Sequence, residues 1–323
     1  MRSSPSAVYE LQETPTVRPV RQKRRRSPLR HKLEDVLFRS LLAFLRLLPR
    51  AGASALAGNA AWFLTRASPR RRILFRNVAH AFPDRPRGEV ARVARGSVEN
   101  TAHALLDYLD ASDGTLDDLR ARVEFSGLEH LRSGRARGKG VFLLSAHFGS
   151  WEIAALAVGG LLGEPIASVV RALDNPILER ELTRRRTRFG NRVIYKKEAA
   201  RELLRAMRKN ESVAILVDQN VLPREAVFVP FFGRLAATTT SLALLHLKTE
   251  AAVVPVFTWP LPGGRYRVGF EEPLLVGEDA ATPRAERVRR LTERYMRVTE
   301  AAVRREPAAW LWIHDRWKTR PPE

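Results

Sequence analysis

The sequence predicts an α/β fold with a largely parallel central sheet flanked by helices. Short apolar runs typical of buried strands alternate with helical segments between residues 123 and 305. His147, Arg171 and Asp218 each follow one of these runs directly. Because ligands bind beyond the carboxyl ends of parallel strands, these residues mark the expected site.

Composition limits the chemistry and the partners. A chain of 323 residues is long enough for one large α/β domain with a helical extension. The absence of Cys excludes disulfides, thiolate metal sites and a Cys nucleophile, and we expect no metal and no cofactor. The formal net charge of +21 indicates anionic partners such as a membrane surface, a phosphorylated substrate or an acidic carrier protein. Nucleic acid is not expected, since no helix-turn-helix, zinc or RNP pattern is present.

The N-terminal third divides into an arm and a helical region. Residues 1–30 are rich in Pro, Ser and Arg and predict a disordered basic arm, which is either a tether to acidic phospholipids or a solvated tail. Residues 31–112 are predicted to be helical. The stripe over 33–48 is apolar but is interrupted by Arg39 and Arg46, so it falls short of a membrane span. We interpret this region as a membrane-interface anchor, with a helical hairpin packed on the main domain as the alternative.

Residues 113–323 form the predicted α/β domain. Its strands are expected at 123–125, in the apolar run before His147, and at 166–171, 192–197, 213–217, 252–258 and 266–270, the last as an edge strand. Helices are expected at 151–162, 175–189, 198–209, 238–249 and 284–305, and 70–109 is predicted to form two helices broken at the prolines of 83–86.

The segment 140–152 is the centre of the functional prediction. It reads as a strand, a tight turn at Gly149 and a helix that Ser150 caps. His147 and Glu152 stand on the two sides of the turn. A carboxylate at one ring nitrogen would fix the tautomer and leave the other nitrogen free to take a proton from a hydroxyl. Taken alone, such a histidine is more often a hydrogen-bonded structural residue.

Several separated motifs resemble one family. The segment "HFGSWE" (147–152) is similar to the His-x4-Asp/Glu signature of glycerolipid acyltransferases, and more closely to the lipid A biosynthesis lauroyl/myristoyl transferase group. The resemblance extends from residue 33 to residue 321, in the same order along the chain. It also includes "NVAHAFP" (77–83), "VFVPFFGRLAATTT" (227–240), "AVVPVF" (252–257) and "HDRWKTRP" (314–321).

The resemblance implies an activity and its two catalytic residues. A fatty acyl chain would move from acyl carrier protein to a hydroxyl of a lipid A precursor or a similar anionic glycolipid, at the cytoplasmic face of the inner membrane. His147 would be the general base and Glu152 the carboxylate that orients it. The hydroxyl would attack the thioester directly, in agreement with the absence of Cys and of a Gly-x-Ser-x-Gly elbow.

The resemblance also implies substrate-binding residues. Arg171 would grip an anionic group, or would otherwise form a surface salt bridge. Asp218 and Gln219 match the family's Asp-Gln pair, although Asn220 stands where a further Asp is usual, and Ser150 where Asn is common. Arg316 and Lys318 would hold lipid phosphates, or would form part of a capped aromatic C-terminus.

Two alternatives remain open at this level. The first is an acyl-CoA-dependent acyltransferase acting on a glycosylated phosphoinositide or another polar lipid. The second is a basic membrane-binding protein without catalysis, which the charge of +21 favours.

Overall fold

The computed structural model describes residues 27–195, 199–277 and 281–321. The predicted basic arm therefore lies almost entirely outside the described residues, as do positions 196–198, which the prediction had divided between a strand and a helix. The first helix begins at Pro28, where the Ser27 side chain accepts a hydrogen bond from the Arg30 N–H. The first four helices of the described residues are α1 (Pro28–Arg46), α2 (Arg50–Ala67), α3 (Arg70–Ala81) and α4 (Arg87–Asp113).

The helix α1 has one packed face and one exposed face. Phe38 and Leu42 pack against the main core, and Leu45 is buried. Leu33, Leu37 and Leu41 are more than half exposed. Among the described residues, no helix combines the length and the apolar character that crossing a membrane requires. The break between α3 and α4 falls at the predicted prolines, because proline lacks the N–H that would continue the helix.

Within the described residues, the central sheet has seven strands and is mostly parallel. Its spatial order is β1-β9-β8-β2-β5-β3-β4, and a separate two-stranded hairpin pairs β6 with β7. Only the β8–β9 pair of the large sheet is antiparallel. The strands are β1 (Val123–Ser126), β2 (Val141–Ser145), β3 (Ile166–Val170), β4 (Arg192–Tyr195), β5 (Ser212–Leu216), β6 (Ala226–Phe231), β7 (Arg234–Thr239), β8 (Ala252–Leu261) and β9 (Arg265–Phe270).

Helices cover both faces of this sheet, which confirms the predicted layered α/β architecture. The alternation of side chains along β2 divides the core in two: Phe142 and Leu144 point into one apolar cluster, and Val141 and Leu143 into the other. The remaining helices are α5 (Leu116–Arg122), α6 (Leu128–Ala136), α7 (Trp151–Leu161), α8 (Pro176–Arg186), α9 (Ala199–Arg208), α10 (Ser241–Thr249) and α11 (Arg284–Arg305).

Two secondary-structure predictions were wrong, and one pair of strands was not predicted at all. The segment predicted as a helix from residue 238 begins in strand β7, and the helix α10 starts only at Ser241. The hairpin of β6 and β7 was not predicted. Its turn has Phe232 at a φ of 50° and Gly233 at a φ of 71°, and the apolar residues around the turn do not indicate this conformation. Strand β9 is not an edge strand, since it pairs with β8 on one side and β1 on the other.

Candidate active site

His147 lies two residues beyond the buried strand β2, on a turn that only glycine can complete. Gly149 has a φ of 57°, and a Cβ placed there would lie 1.6 Å from the Thr258 carbonyl oxygen. The Gly149 N–H donates to the Ala309 carbonyl over 2.8 Å, which ties the turn to the C-terminal segment. The position of the imidazole is thus set by close backbone contacts with two other parts of the chain.

The carboxylate that hydrogen-bonds this imidazole belongs to Asp218. Strand β5 pairs with β2 in parallel, with Ser145 opposite Leu216, so the residues two further along each strand, His147 and Asp218, leave the sheet side by side. His147 Nδ1 lies 2.9 Å from Asp218 Oδ1. The His147 backbone N–H donates to Oδ2 over 3.0 Å, and so does Trp310 Nε1 over 2.8 Å. Three contacts therefore hold a carboxylate that is only 1 % exposed.

These contacts decide the protonation of both groups. Burial alone would raise the pKa of Asp218, but the charge of His147 and the hydrogen bonds from His147 and Trp310 lower that pKa to about 2. Burial alone would lower the pKa of His147. The charge of Asp218 and its hydrogen bond outweigh burial, and the pKa of His147 is raised. Asp218 is therefore ionised throughout the physiological range and stabilises the imidazolium that forms when His147 takes a proton.

The second ring nitrogen, Nε2, faces Gln219. Because Nδ1 points to a carboxylate, it carries the proton, and Nε2 keeps its lone pair. Nε2 lies 3.1 Å from Gln219 Nε2, and Gln219 is an exposed residue. The imidazole is 21 % exposed and its ring meets the edge of Trp151 at a centroid distance of 4.9 Å. A basic nitrogen therefore lies at the surface beside a side chain that a ligand can displace.

Glu152 lies in the first turn of α7 and is engaged elsewhere. Both of its carboxylate oxygens lie 3.1 Å from Arg186 Nε, on α8, and the Arg186 Nη2 makes a further contact with Oε1. The two side chains are 17 % and 18 % exposed. Glu152 thus does not hydrogen-bond His147, although its negative charge contributes to the raised pKa of His147. The orienting role expected for Glu152 stays a prediction.

The other predicted residues are not brought together with the imidazole. The Arg171 side chain is 76 % exposed and lies 4.0 Å from Asp174. Arg316 is 0 % exposed, so a lipid phosphate could reach its guanidinium only if the surrounding chain moved. Lys318 is exposed on the same C-terminal segment. Substrate binding by Arg171, Arg316 and Lys318 stays a prediction.

The sequence reasoning missed the contribution of the C-terminal segment, residues 309–319, here called the C-terminal strap. Its Trp310 donates to Asp218, and its Leu311 N–H donates to the His147 carbonyl over 3.1 Å. Asn220 makes three hydrogen bonds with the strap. Its N–H donates to His314 Nε2 over 2.9 Å, its Oδ1 accepts from the Thr319 N–H over 3.0 Å, and its Nδ2 donates to the Thr319 hydroxyl over 3.0 Å. The strap therefore forms hydrogen bonds with the loop that follows β2 and with the loop that follows β5. The only sequence signal for it was the "HDRWKTRP" motif, which did not include Trp310.

Comparisons with known proteins agree in one family. The family model described as bacterial lipid A biosynthesis acyltransferase matches residues 21–319. The lipid A biosynthesis lauroyltransferase of Escherichia coli K12 is 28 % identical over 253 residues, which cover 78 % of this chain and 80 % of that protein. The palmitoleoyltransferase of the same organism is 26 % identical over 255 residues, covering 78 % and 80 %. The myristoyltransferase is 25 % identical over 261 residues, covering 79 % and 77 %.

The family-model match covers most of the chain and is therefore stronger evidence for the family than the sequence identity to any single relative. It spans the N-terminal helices, the whole sheet and the whole strap, so it concerns the fold and the site together. The resemblance inferred from the separate motifs is confirmed. The chain belongs to the family of bacterial lipid A biosynthesis acyltransferases and is an enzyme of that class.

Proposed function

We propose that this enzyme transfers a fatty acyl chain from acyl carrier protein to a hydroxyl of a lipid A precursor, with His147 as the general base. One observation carries the proposal: His147 Nδ1 is bonded to a buried carboxylate at 2.9 Å, and the opposite nitrogen is directed to an exposed side chain. This arrangement is what abstraction of a hydroxyl proton requires. Membership of the family supports lipid A as the class of acceptor.

In the proposed reaction the acceptor hydroxyl displaces Gln219 from His147 Nε2. The proton passes to Nε2 as the oxygen attacks the thioester carbonyl carbon. The carbon–sulfur bond then breaks, and the proton on Nε2 passes to the departing sulfur, which leaves as a thiol. Asp218 takes the orienting role that the sequence had suggested for Glu152, because Asp218 makes the hydrogen bond to Nδ1. Glu152 acts through charge, and its ion pair with Arg186 fixes α7 against α8.

The donor and the location of the reaction rest on charge and exposed apolar surface. A formal charge of +21 suits an acidic carrier protein and an anionic acceptor. The exposed face of α1 suits peripheral insertion into a bilayer, which we place at the cytoplasmic face of the inner membrane. Leucines of that face are 57 %, 60 % and 56 % exposed at positions 33, 37 and 41, far more than an aqueous surface favours for a cluster of this size.

The test is an assay of the purified protein with a lipid A precursor and either an acyl carrier protein thioester or acyl-CoA, read by mass spectrometry. We expect the mass of one acyl chain to be added to the precursor with the carrier thioester and not with acyl-CoA. Transfer from acyl-CoA alone would replace the proposed donor. Absence of transfer from both donors, with a folded and membrane-bound protein, would refute the proposed reaction.

A further inference from the structure

The Gln219 side chain occupies the basic nitrogen of His147 in this structure. Its amide nitrogen lies 3.1 Å from His147 Nε2. Because the proton of the imidazole lies on Nδ1, facing Asp218, Nε2 carries a lone pair and the amide N–H of Gln219 donates to it. The carboxamide therefore lies where an acceptor hydroxyl has to lie before it can give its proton to Nε2.

The backbone of Gln219 is fixed, whereas its side chain is held by one hydrogen bond. Asp218, the residue before it, accepts three hydrogen bonds, and Asn220, the residue after it, makes three with the strap. Within the described part of the chain, the Gln219 side chain bonds His147 alone. Since this side chain is also exposed, it can turn into solvent while the backbone stays in place.

The other neighbours of the imidazole are more firmly placed. Asp218, at Nδ1, is 1 % exposed, and the Trp151 ring, half-buried, contacts the imidazole at a centroid distance of 4.9 Å. Of these three neighbours, Gln219 is the exposed one, and it is the one that bonds the reactive nitrogen. Displacement of Gln219 is therefore the movement that opens Nε2.

An open Nε2 would activate water as well as an acceptor hydroxyl. Water would give a proton to Nε2 while its oxygen attacks the thioester carbonyl carbon. The carbon–sulfur bond would then break, the proton would pass from Nε2 to the sulfur, and the products would be a fatty acid and a thiol. A side chain that bonds the lone pair of Nε2 competes with water for this position and slows the side reaction.

We propose that Gln219 covers the basic nitrogen of His147 until an acceptor binds, and thereby determines the preference of the enzyme for the acceptor alcohol over water. The inference rests on the proposed role of His147 as the general base. A hydroxyl that belongs to a bound acceptor is held beside Nε2 by the rest of that molecule, so it displaces Gln219 more effectively than a free water does.

The first test needs neither an acyl donor nor an acceptor. Diethyl pyrocarbonate reacts with the unprotonated nitrogen of an imidazole, so the rate of modification of His147, followed by mass spectrometry, reports access to Nε2. We expect Gln219→Ala to raise this rate by about fivefold, measured at alkaline pH where the ring is neutral, which is the factor that one neutral hydrogen bond contributes. The rate at His314, whose Nε2 accepts the Asn220 N–H, should stay the same.

The matched control is Leu222→Ala, three residues further along the same loop, where the side chain is 54 % exposed. This variant should leave the modification of His147 at the wild-type rate. Equal rates in the wild type and Gln219→Ala would overturn the proposal. An equal acceleration by Gln219→Ala and Leu222→Ala would also overturn it, because the effect would then come from loosening of the loop.

The second test follows the acyl group. Wild type, Gln219→Ala and the double variant Gln219→Ala/His147→Ala are incubated with acyl carrier protein thioester, with and without a lipid A precursor. Free fatty acid and acylated lipid are then measured by mass spectrometry. We expect the ratio of hydrolysis to transfer to rise by about fivefold in Gln219→Ala. The added hydrolysis should disappear in the double variant, because it depends on the base.

The two tests distinguish this inference from the proposed function. If the wild type transfers the acyl chain and Gln219→Ala leaves the ratio of hydrolysis to transfer unchanged, the inference is wrong and the proposed function stands. A wild type that transfers no acyl chain would refute the proposed function, whereas the modification of His147 judges the cover of Nε2 without any transfer.

Discussion

At the scale of single residues, the expected base, His147, is hydrogen-bonded to a carboxylate that the sequence did not suggest for this contact, Asp218. The sequence pointed to His147 because it ends a buried strand and precedes a helix. The carboxylate that fixes its tautomer comes from position 218, at the end of the neighbouring strand. The nearby acid, Glu152, is bound to Arg186 instead. Closeness along the chain therefore did not identify Asp218, which hydrogen-bonds His147 in this structure, but it did identify a charge that acts on the imidazole. The orienting role of Glu152 stays a prediction.

Substitution of the two carboxylates distinguishes their roles. Asp218→Asn keeps the shape of the side chain but favours the wrong tautomer of His147, so we expect kcat to fall by roughly 10²–10⁴-fold, as for orienting carboxylates of catalytic histidines. Glu152→Gln removes the charge and one of the two oxygens that Arg186 contacts, and we expect a loss of about tenfold. His147→Ala should be at least as inactive as Asp218→Asn. The measurement is kcat with the lipid A precursor, with circular dichroism to verify folding.

The opposite ranking of the two carboxylates would be informative. If Glu152→Gln folds normally and loses as much activity as Asp218→Asn, the orienting role returns to Glu152. The hydrogen bond seen between Asp218 and His147 would then describe a resting arrangement that changes on substrate binding.

At the scale of elements, the C-terminal strap holds the site together. Strands β2 and β5 end side by side, and the loops that follow them also bond the strap. The strap bonds the first loop at Gly149 and at the His147 carbonyl, and the second at Asp218 and Asn220. A segment that follows α11 in sequence thereby fixes the relative position of two loops that are 71 residues apart.

Trp310 gives a direct test of the strap, and Trp312 is its matched control. Trp310→Phe removes the indole donor from Asp218, whereas Trp312→Phe removes an equally buried donor from the Pro307 carbonyl, where the distance is 2.7 Å. Both changes should cost stability, and Trp310→Phe more, because hydrogen bonds to charged groups contribute about 1.5–3 kcal/mol against about 1 kcal/mol for neutral ones. Only Trp310→Phe should reduce kcat, by about tenfold, since it frees Asp218 to move.

Measurement of Tm and kcat for both variants separates stability from catalysis. An equal drop in kcat for Trp310→Phe and Trp312→Phe would mean that the strap supports the fold in general and does not position Asp218 in particular.

At the scale of the whole molecule, the distribution of apolar surface indicates how the enzyme meets its substrate. Most large apolar side chains of the α/β part lie in the two clusters on either side of the sheet. The helix α1 is different, because its outward face carries a row of leucines, a valine and a phenylalanine that no other described segment covers. These are Leu33, Val36, Leu37, Leu41 and Phe44. A row of this kind suits a helix that lies in the surface of a bilayer.

Replacing the row should weaken membrane binding without affecting the fold. The triple change Leu33→Ser, Leu37→Ser and Leu41→Ser removes side chains that are 57 %, 60 % and 56 % exposed. We expect binding to anionic phospholipid vesicles, measured by sedimentation, to fall by at least about tenfold, because each leucine buried in the apolar region contributes roughly 1 kcal/mol or more.

The control removes the same number of exposed leucines from elsewhere on the surface. Leu173, Leu222 and Leu235 are 46 %, 54 % and 45 % exposed, and their replacement by Ser should leave vesicle binding unchanged. An equal effect of the two triple variants would assign membrane binding to general hydrophobicity and remove α1 as the anchor.

Much of the architecture follows from local pattern. The bounds predicted for the last helix, 284–305, agree with α11 (Arg284–Arg305), because its apolar period is uninterrupted and proline precedes it. The sequence also predicts strand β2, the turn at Gly149 and the start of α7, and the spaced motifs alone indicate the family. The hairpin of β6 and β7 was missed, since the pairing of its strands depends on the conformation of a turn and not on the periodicity of apolar residues.

Local pattern thus sufficed for the layered α/β architecture, the position of His147 and the family. Only the folded chain shows three contacts of the site. These are the hydrogen bond between His147 and Asp218, the ion pair between Glu152 and Arg186, and the hydrogen bonds of the strap. The physical reason is that no short segment determines the order of the strands. Strand β2 lies next to β5 because of the packing of the whole sheet. Hydrogen bonds and charges act over a few ångströms in space, whatever the separation along the chain, so the chemistry of the site follows the packing.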